Sequence, residues 1–481
     1  VLACTLVGCA VLYAAARLFR GRRALTALVV FLVILGFYAV VPLAEWVVDG
    51  TGSVGGLALL LVPLGAAVVL LRWLIRRPAS LEGLTTFLAL TSLIVVVWLS
   101  ARIVMDQARA RSAIHNSALA RELAQPVRIR AGKPSAVAKP DIYLLVLDEY
   151  ANSSVLREQF NFDNREFEDS LRQLGFTIPR SVHSNYTHTI LSLPSLLNFS
   201  HLNGLTTELG STATDPSLPI YLLQHNRTVT FLRGQGYRFV LYPSQWWPAT
   251  QHSTEADSEY QAWHGFSLGR ELTRSHFRRT LTEMTPLGQI FRQPPYDGDH
   301  VRRTLEALAS VRTGGKPTFA FAHIMNPHYP YVFESDCRPV PPHGAKRKRV
   351  AYVNQLRCLD RMVLSTVTAL IQRSPTPPVI LLQGDHGTST LNFSWAPDAA
   401  AVSPAQARER FGAFGAYYLP NGGSRLVSDS VTIVNVLQKV LGYYLAADVA
   451  ASPDDMYMSI ERRPYAFVRV DPATLVPPAA R

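Results

Sequence analysis

At 481 residues the chain is too long for one small core, so at least two regions are expected. Its net charge of +12 calls for an anionic partner. The hydropathy pattern below places the excess charge outside a membrane, which excludes nucleic acid as that partner.

Taken in chain order, Val1–Ala16 is apolar, and Ala24–Ala44, Gly50–Leu71 and Gly83–Ala101 contain no charge. Each charge-free run reaches the roughly 20 residues needed to cross a bilayer core of about 30 Å. Residues 1–105 therefore read as a membrane anchor of four transmembrane helices. Val1 is not a methionine and opens directly inside an apolar run, so a truncated start is expected. A cleaved signal peptide is the weaker reading, because further spans follow. Arg17, Arg20, Arg22 and Arg23 separate the first two spans, and Arg72, Arg76 and Arg77 the third and fourth, whereas the intervening loop holds Glu45 and Asp49. The positive-inside rule puts the arginine clusters in the cytoplasm and everything after about Met105 outside. Residues 1–105 carry eight arginines and three acids, leaving +7 beyond them, a charge suited to anionic lipid or a phosphate-bearing substrate. Glu45 and Arg102 sit near span ends, so the helices read as an anchor rather than a transport path.

Residues 106–139 are polar and rich in alanine and arginine, a juxtamembrane helix and a linker ending in "AGKPSAVAKP". The globular domain follows over 140–475. "IYLLVL" (Ile142–Leu147), "RFVLY" (Arg238–Tyr242), "TFAFAHI" (Thr318–Ile324) and "PVILLQ" (Pro378–Gln383) read as buried parallel strands. Helices are expected at "DNREFEDSLRQLG", with Asp163 as a cap and Gly175 as the stop, and at "DHVRRTLEALASVR" and "VAYVNQLRCLDRMVLSTVTALIQR". The pattern predicts an α/β domain whose mostly parallel central sheet carries helices on both faces, preceded by an α-helical transmembrane bundle. Ligands of such sheets sit outside the carboxyl ends of the strands.

Those ends are acidic or histidine-bearing. Asp148 and Glu149 follow the first strand, His323 and His328 fall in "HIMNPHYPY", and Asp385 and His386 in "GDHG". Each has a bland reading as a cap or turn residue. Together they describe a mixed oxygen and nitrogen site suited to one divalent metal, zinc or manganese. In "NYTHTILSLPSLLN" (Asn185–Asn198) hydroxyls crowd the start of a helix expected to begin near Thr189–Leu193. A threonine there would sit where helix N–H groups favour negative charge, and a metal on Asp148, Asp385 and His386 would activate it. Cys337 and Cys358 are the only cysteines of the outer part; an oxidising compartment permits a disulfide between them, and two unrelated buried thiols are the alternative.

With this order of residues the outer part resembles the alkaline phosphatase/sulfatase superfamily in its membrane-anchored bacterial branch, which includes lipid-A phosphoethanolamine transferases and lipoteichoic acid synthases. "TILSLPSLLNFS" is similar to the transferase stretch in which a threonine precedes "xxSxP", matching Thr189. "LLVLDEY" looks like the first ligand strand, placing Asp148 on the metal. "HIMNPHYPY" resembles the two-histidine segment, with His328 near the transferred group and His323 behind it. "GDHG" matches paired ligands at Asp385 and His386. The resemblance implies an alkaline phosphatase-like fold and an enzyme transferring or hydrolysing a phosphate or sulfate ester. A head-group phosphotransferase with Thr189 as nucleophile and His328 assisting comes first. The alternatives are a sulfatase or phosphodiesterase-type hydrolase, and a non-catalytic membrane protein with a binding domain. The implied partner is a membrane lipid head group or a cell-envelope glycan, and the implied location is a bacterial inner membrane with the domain on the periplasmic side. "TSTLNFSWAPDAAAV" lacks the histidine that the transferases carry past "DHG", which speaks against a second metal. Ser192 holds the sulfatase maturation position, but Leu196 replaces the arginine of that motif. Glu149 is a possible further ligand. "KRKR" (Lys346–Arg349), Tyr329, Tyr331, Trp246 and Trp247 could touch lipid or sugar, though solvated loops and packing aromatics are the commoner reading.

Overall fold

The structure is a computed structural model that describes residues 81–131, 139–244, 250–260, 298–311, 315–340, 348–393 and 396–476, together with 30, 31 and 69. The expected spans at 1–16, 24–44 and 50–71, both arginine clusters, Trp246 and Trp247 lie outside the described residues, apart from those three single positions. The chain divides into two compact units, residues 1–108 with 265–294, and residues 109–264 with 295–481.

Helix α1 (Leu81–Asn116) contains the fourth expected span and continues through the start of the expected juxtamembrane segment without a break. Over Gly83–Asn116 it is long and apolar enough to cross a membrane. Phe87, Leu90, Leu93, Ile94 and Trp98 are all exposed on it.

The second unit is built on a six-stranded sheet. Its strands are β1 (Ile142–Leu147), β2 (Arg238–Tyr242), β3 (Ser258–Glu259), β4 (Thr318–Ile324), β5 (Val379–Gly384) and β6 (Gly415–Tyr418). They lie in the order β3-β2-β4-β1-β5-β6, all parallel except β6, which pairs antiparallel with β5. The central strand β1 is buried at every position. Alternation along it sorts the two faces. Ile142, Leu144 and Val146 join Phe319, Phe321 and Leu381 on one face, under Leu193, Leu196 and Leu197 of the helix Thr189–Asn198. Tyr143, Leu145 and Leu147 join Ala320, Ala322 and Leu382 on the other, under Val301, Leu305 and Leu308 of the helix Gly298–Ser310 and Leu356, Leu359 and Val363 of the helix Lys348–Arg373. Covering helices on both faces explain why the strands read as continuous apolar runs.

Local signals act as their chemistry predicts, with small shifts. The helix Arg165–Gln173 begins one residue after Asn164; Asp163 still accepts the Arg165 N–H at 3.2 Å, and Gly175 closes it at φ +96°. β5 runs one residue further than expected, through Gly384. Cys337 and Cys358 are joined by a disulfide that ties the segment after β4 to the helix Lys348–Arg373. A strand pair, Met456–Ile460 with Arg463–Val470, and the edge strand β6 were not expected from the sequence.

Asp360 on the helix Lys348–Arg373 is a buried acid that accepts the Tyr150 hydroxyl at 2.6 Å. Burial raises its carboxyl to about 8, with the Tyr150 hydrogen bond opposing. The folded chain therefore keeps a proton that the unfolded chain, with a carboxyl near 4, releases, so stability falls as pH rises from about 4 to about 8. Asp360→Asn is expected to flatten that fall. Thermal unfolding at pH 5 and pH 8.5 checks it, and an unchanged gap between the two would contradict the assignment.

Candidate metal centre

Strand register brings the acids together. Leu147 of β1 pairs with Ile324 of β4 and with Gly384 of β5, so the residues that follow leave the sheet at one edge. Asp148 N–H donates to the Ile324 carbonyl at 2.9 Å. Asp385 Oδ1 accepts the backbone N–H of Glu149 at 3.2 Å and of His386 at 3.0 Å, which binds the two ligand-bearing turns to one another. The glycines flanking Asp385 and His386 are steric requirements. A Cβ on Gly384 would lie 2.5 Å from the Tyr150 carbonyl, and one on Gly387 only 1.9 Å from the Glu409 carbonyl.

Five side chains converge there. His386 Nε2 lies 3.1 Å from Asp385 Oδ2, 4.0 Å from Asp148 Oδ1 and 2.9 Å from Thr189 Oγ1. His323 Nε2 lies 3.4 Å from Asp148 Oδ2. Asp148, His323, Asp385 and His386 are each at most 2% exposed. His386 Nδ1 donates to the Gly387 carbonyl at 3.1 Å, which leaves the Nε2 lone pair aimed at the acids. His323 is held in the same manner by Thr250 Oγ1, 2.8 Å from Nδ1. Burial, then Arg410, pushes His386 well below the usual histidine range, so its ring is neutral. Burial and the charge of Asp148 raise Asp385 well above the carboxylate range. Burial also raises Asp148, but His328, His323 and His386 outweigh it and hold that carboxyl below its ordinary value.

This arrangement fits a divalent cation. Among the described residues no hydrogen-bond donor meets Asp148 Oδ1, although the atom is buried, while the Thr189 hydroxyl bonds Asp385. Without a cation the only balance for the second buried acid is a proton kept on Asp385, whose carboxyl lies well above the carboxylate range. Ligands about 2.0–2.2 Å from a tetrahedral ion stand roughly 3.3–3.6 Å apart, a range that the 2.9, 3.1 and 4.0 Å separations from His386 Nε2 bracket. Asp148, His323 and Asp385 also present ligand atoms within 4.8 Å of one another, so His323 is nearer the centre than its expected place behind it.

Thr189 is the first residue of its helix, and the other hydroxyls crowded there have partners of their own. Thr187 donates to the Ser459 carbonyl, Ser192 to the Tyr186 carbonyl and Ser195 to the Ser200 carbonyl. Thr189 Oγ1 alone turns to a site side chain, His386. Ser192 is fully buried, with its hydroxyl committed to its own loop. His328 N–H donates to the Asp148 carbonyl at 3.1 Å, and its ring Nδ1 bonds the Tyr329 carbonyl. Burial lowers His328, but Glu149 and Asp148 prevail and raise it above the ordinary histidine value. Tyr329 is 58% exposed and meets Tyr331 edge to face. Glu149, at φ +60°, gives its carboxylate to Arg410 at 2.7 Å and to Ser389 at 3.2 Å. Arg410 had no signal in the sequence: "PAQARERF" reads as an ordinary solvated helix, yet Arg410 is 6% exposed.

Stripping metal from the protein is expected to lower its unfolding temperature, because two acids are left facing each other. Restoring zinc or manganese to 100 times Kd should return about 2.7 kcal/mol. Asp385→Asn should show neither change; a wild-type response to chelator in that variant would contradict the site.

A family model described as Sulfatase matches residues 146–424, more than half of the 481-residue chain. No curated protein matches. Among solved structures, the chain is similar to the C-terminal periplasmic domain of EcEptC from Escherichia coli in complex with Zn, at 12% identity over 72% of this chain and 96% of that one, with a TM-score of 0.46. It is also similar to the integral membrane protein lipooligosaccharide phosphoethanolamine transferase A (EptA) from Neisseria meningitidis, at 12% identity over 77% of this chain and 69% of that one, TM-score 0.44. A 2-O GAG sulfatase, BT1596, is 13% identical over 66% and 72%, TM-score 0.40. The chain belongs to the sulfatase family and is a sulfatase-like enzyme acting on phosphate or sulfate esters.

Proposed function

We propose that the protein is a membrane-anchored head-group phosphotransferase with Thr189 as its nucleophile. Residues 1–105 anchor it in a bacterial inner membrane, 106–139 form the connection, and 140–475 are the catalytic domain on the periplasmic side. Its partners are a membrane lipid head group as donor and a cell-envelope glycan or lipid as acceptor. The observation that carries this reading is the Thr189 hydroxyl, 2.9 Å from His386 Nε2 at the start of a helix. The exposed apolar length of α1 and the +7 charge beyond residue 105 support the anchor and the anionic substrate.

Asp148, Asp385 and His386, with the Thr189 hydroxyl, would hold the metal. A bound divalent cation lowers the pKa of that hydroxyl and neutralises the ester oxygens. Thr189 Oγ1 loses its proton to water and forms a bond to phosphorus, while the bond from phosphorus to the leaving alcohol oxygen breaks. His328, charged through its acidic neighbours, gives the departing oxygen its proton. An acceptor hydroxyl then attacks the phosphothreonine, its proton leaves, and Thr189 Oγ1 is released and reprotonated. Water in place of the acceptor would make the same site a hydrolase.

Intact-mass analysis after incubation with total bacterial lipid tests this. An adduct on Thr189 is expected in the wild type and none in Thr189→Ala, with activity reduced at least about 1,000-fold, the scale for loss of a covalent nucleophile. Turnover with Thr189 unmodified throughout, or Thr189→Ala at wild-type rate, would defeat the reading.

A further inference from the structure

The strongest unassigned group beside the centre is the guanidinium of Arg410, on the helix Pro404–Phe411. It reaches three separate segments. Nε donates to the Thr187 carbonyl at 2.7 Å, two residues before Thr189. Nη1 donates to the Gly387 carbonyl at 2.9 Å, beside His386, and to Glu149 Oε1 at 2.7 Å, beside Asp148. Nη2 stands 3.3 Å from His386 Nε2. The Arg410 carbonyl also accepts the Gly387 N–H at 2.8 Å, so both backbone and side chain hold the same turn. Its neighbour Glu409 completes the grip, accepting Thr388 Oγ1 at 2.7 Å, Thr390 N–H at 2.6 Å and Leu391 N–H at 2.9 Å.

We propose that Arg410 is a positioning residue for the centre, its planar fork setting the spacing of the Asp148, Thr189 and His386 segments. The inference rests on the reading of those residues as a cation site. Two physical features carry it. A guanidinium offers five N–H groups in fixed directions, whereas a lysine ammonium is a point charge that cannot span three segments at once. Arg410 also neutralises Glu149, which would otherwise add a third buried carboxylate beside Asp148 and Asp385 and alter the charge that one dication balances.

Zinc titration of the metal-stripped full chain in detergent tests this, with circular dichroism melts alongside. The variants are Arg410→Lys, the double variant Glu149→Gln/Arg410→Gln, which leaves no unpaired buried charge, and Asp385→Asn. Arg410→Lys and the double variant are expected to fold and to bind zinc about 10–100-fold more weakly, the scale for losing a group that orients a ligand. Wild-type zinc affinity in both, with binding lost in Asp385→Asn, would overturn the role of Arg410 alone. Failure of both to fold would assign Arg410 to the core and overturn it equally. Wild-type affinity in Asp385→Asn would remove the cation site itself.

Discussion

Two carboxylates buried side by side at the end of a parallel sheet are the constraint on which the rest of this domain depends. Asp148 and Asp385 leave adjacent strands at the same level, because Leu147 and Gly384 are paired in the register. Neither acid can be moved to water without breaking the central strands, and like charges in a buried site cannot both ionise without compensation. The structure answers with His323, His328 and His386 around Asp148, and with an Asp148 oxygen that meets no donor among the described residues. A buried site that sacrifices hydrogen bonds in this way is built for a cation.

The surroundings serve that centre. Main-chain N–H groups of Glu149 and His386 fix one oxygen of Asp385, so only its other oxygen faces the imidazole. Carbonyls of Gly387 and the hydroxyl of Thr250 orient the two histidines. The Gln355 carboxamide holds the His328 segment from the opposite side, donating to the Pro327 and His328 carbonyls and accepting the Val332 N–H. Thr189 enters this frame at the first turn of a helix packed on the sheet by Leu193, Leu196 and Leu197. Its hydroxyl is therefore placed by core packing rather than by a flexible loop, as the nucleophile role proposed for it requires.

Much of this was legible in the residues. Buried parallel strands announce themselves as unbroken apolar runs, and β1, β2 and β4 begin and end where the runs do. The acids and histidines that follow them could be assigned to one sheet edge because parallel topology leaves no other. Arg410 was hidden because half of "PAQARERF" is polar, and the Thr187, Glu149 and Gly387 segments that bury it lie far away in the chain. Glu149 was ambiguous for the same reason, its partner lying 261 positions away. β6 was missed since "GAYY" is short and sits at an antiparallel edge, where tertiary pairing decides what propensity does not. The proximity of His323 to the cluster depends on its position one residue before the strand ends, opposite Val146, a register no single segment reveals.

The most direct test of the account is the position of the ion itself. Crystals of the full chain grown with zinc or manganese, measured at the metal absorption edge, should give one anomalous peak about 2.0–2.2 Å from Asp148, Asp385, His386 Nε2 and Thr189 Oγ1. A peak elsewhere in the molecule, or none with the two carboxylates sharing a proton, would contradict it.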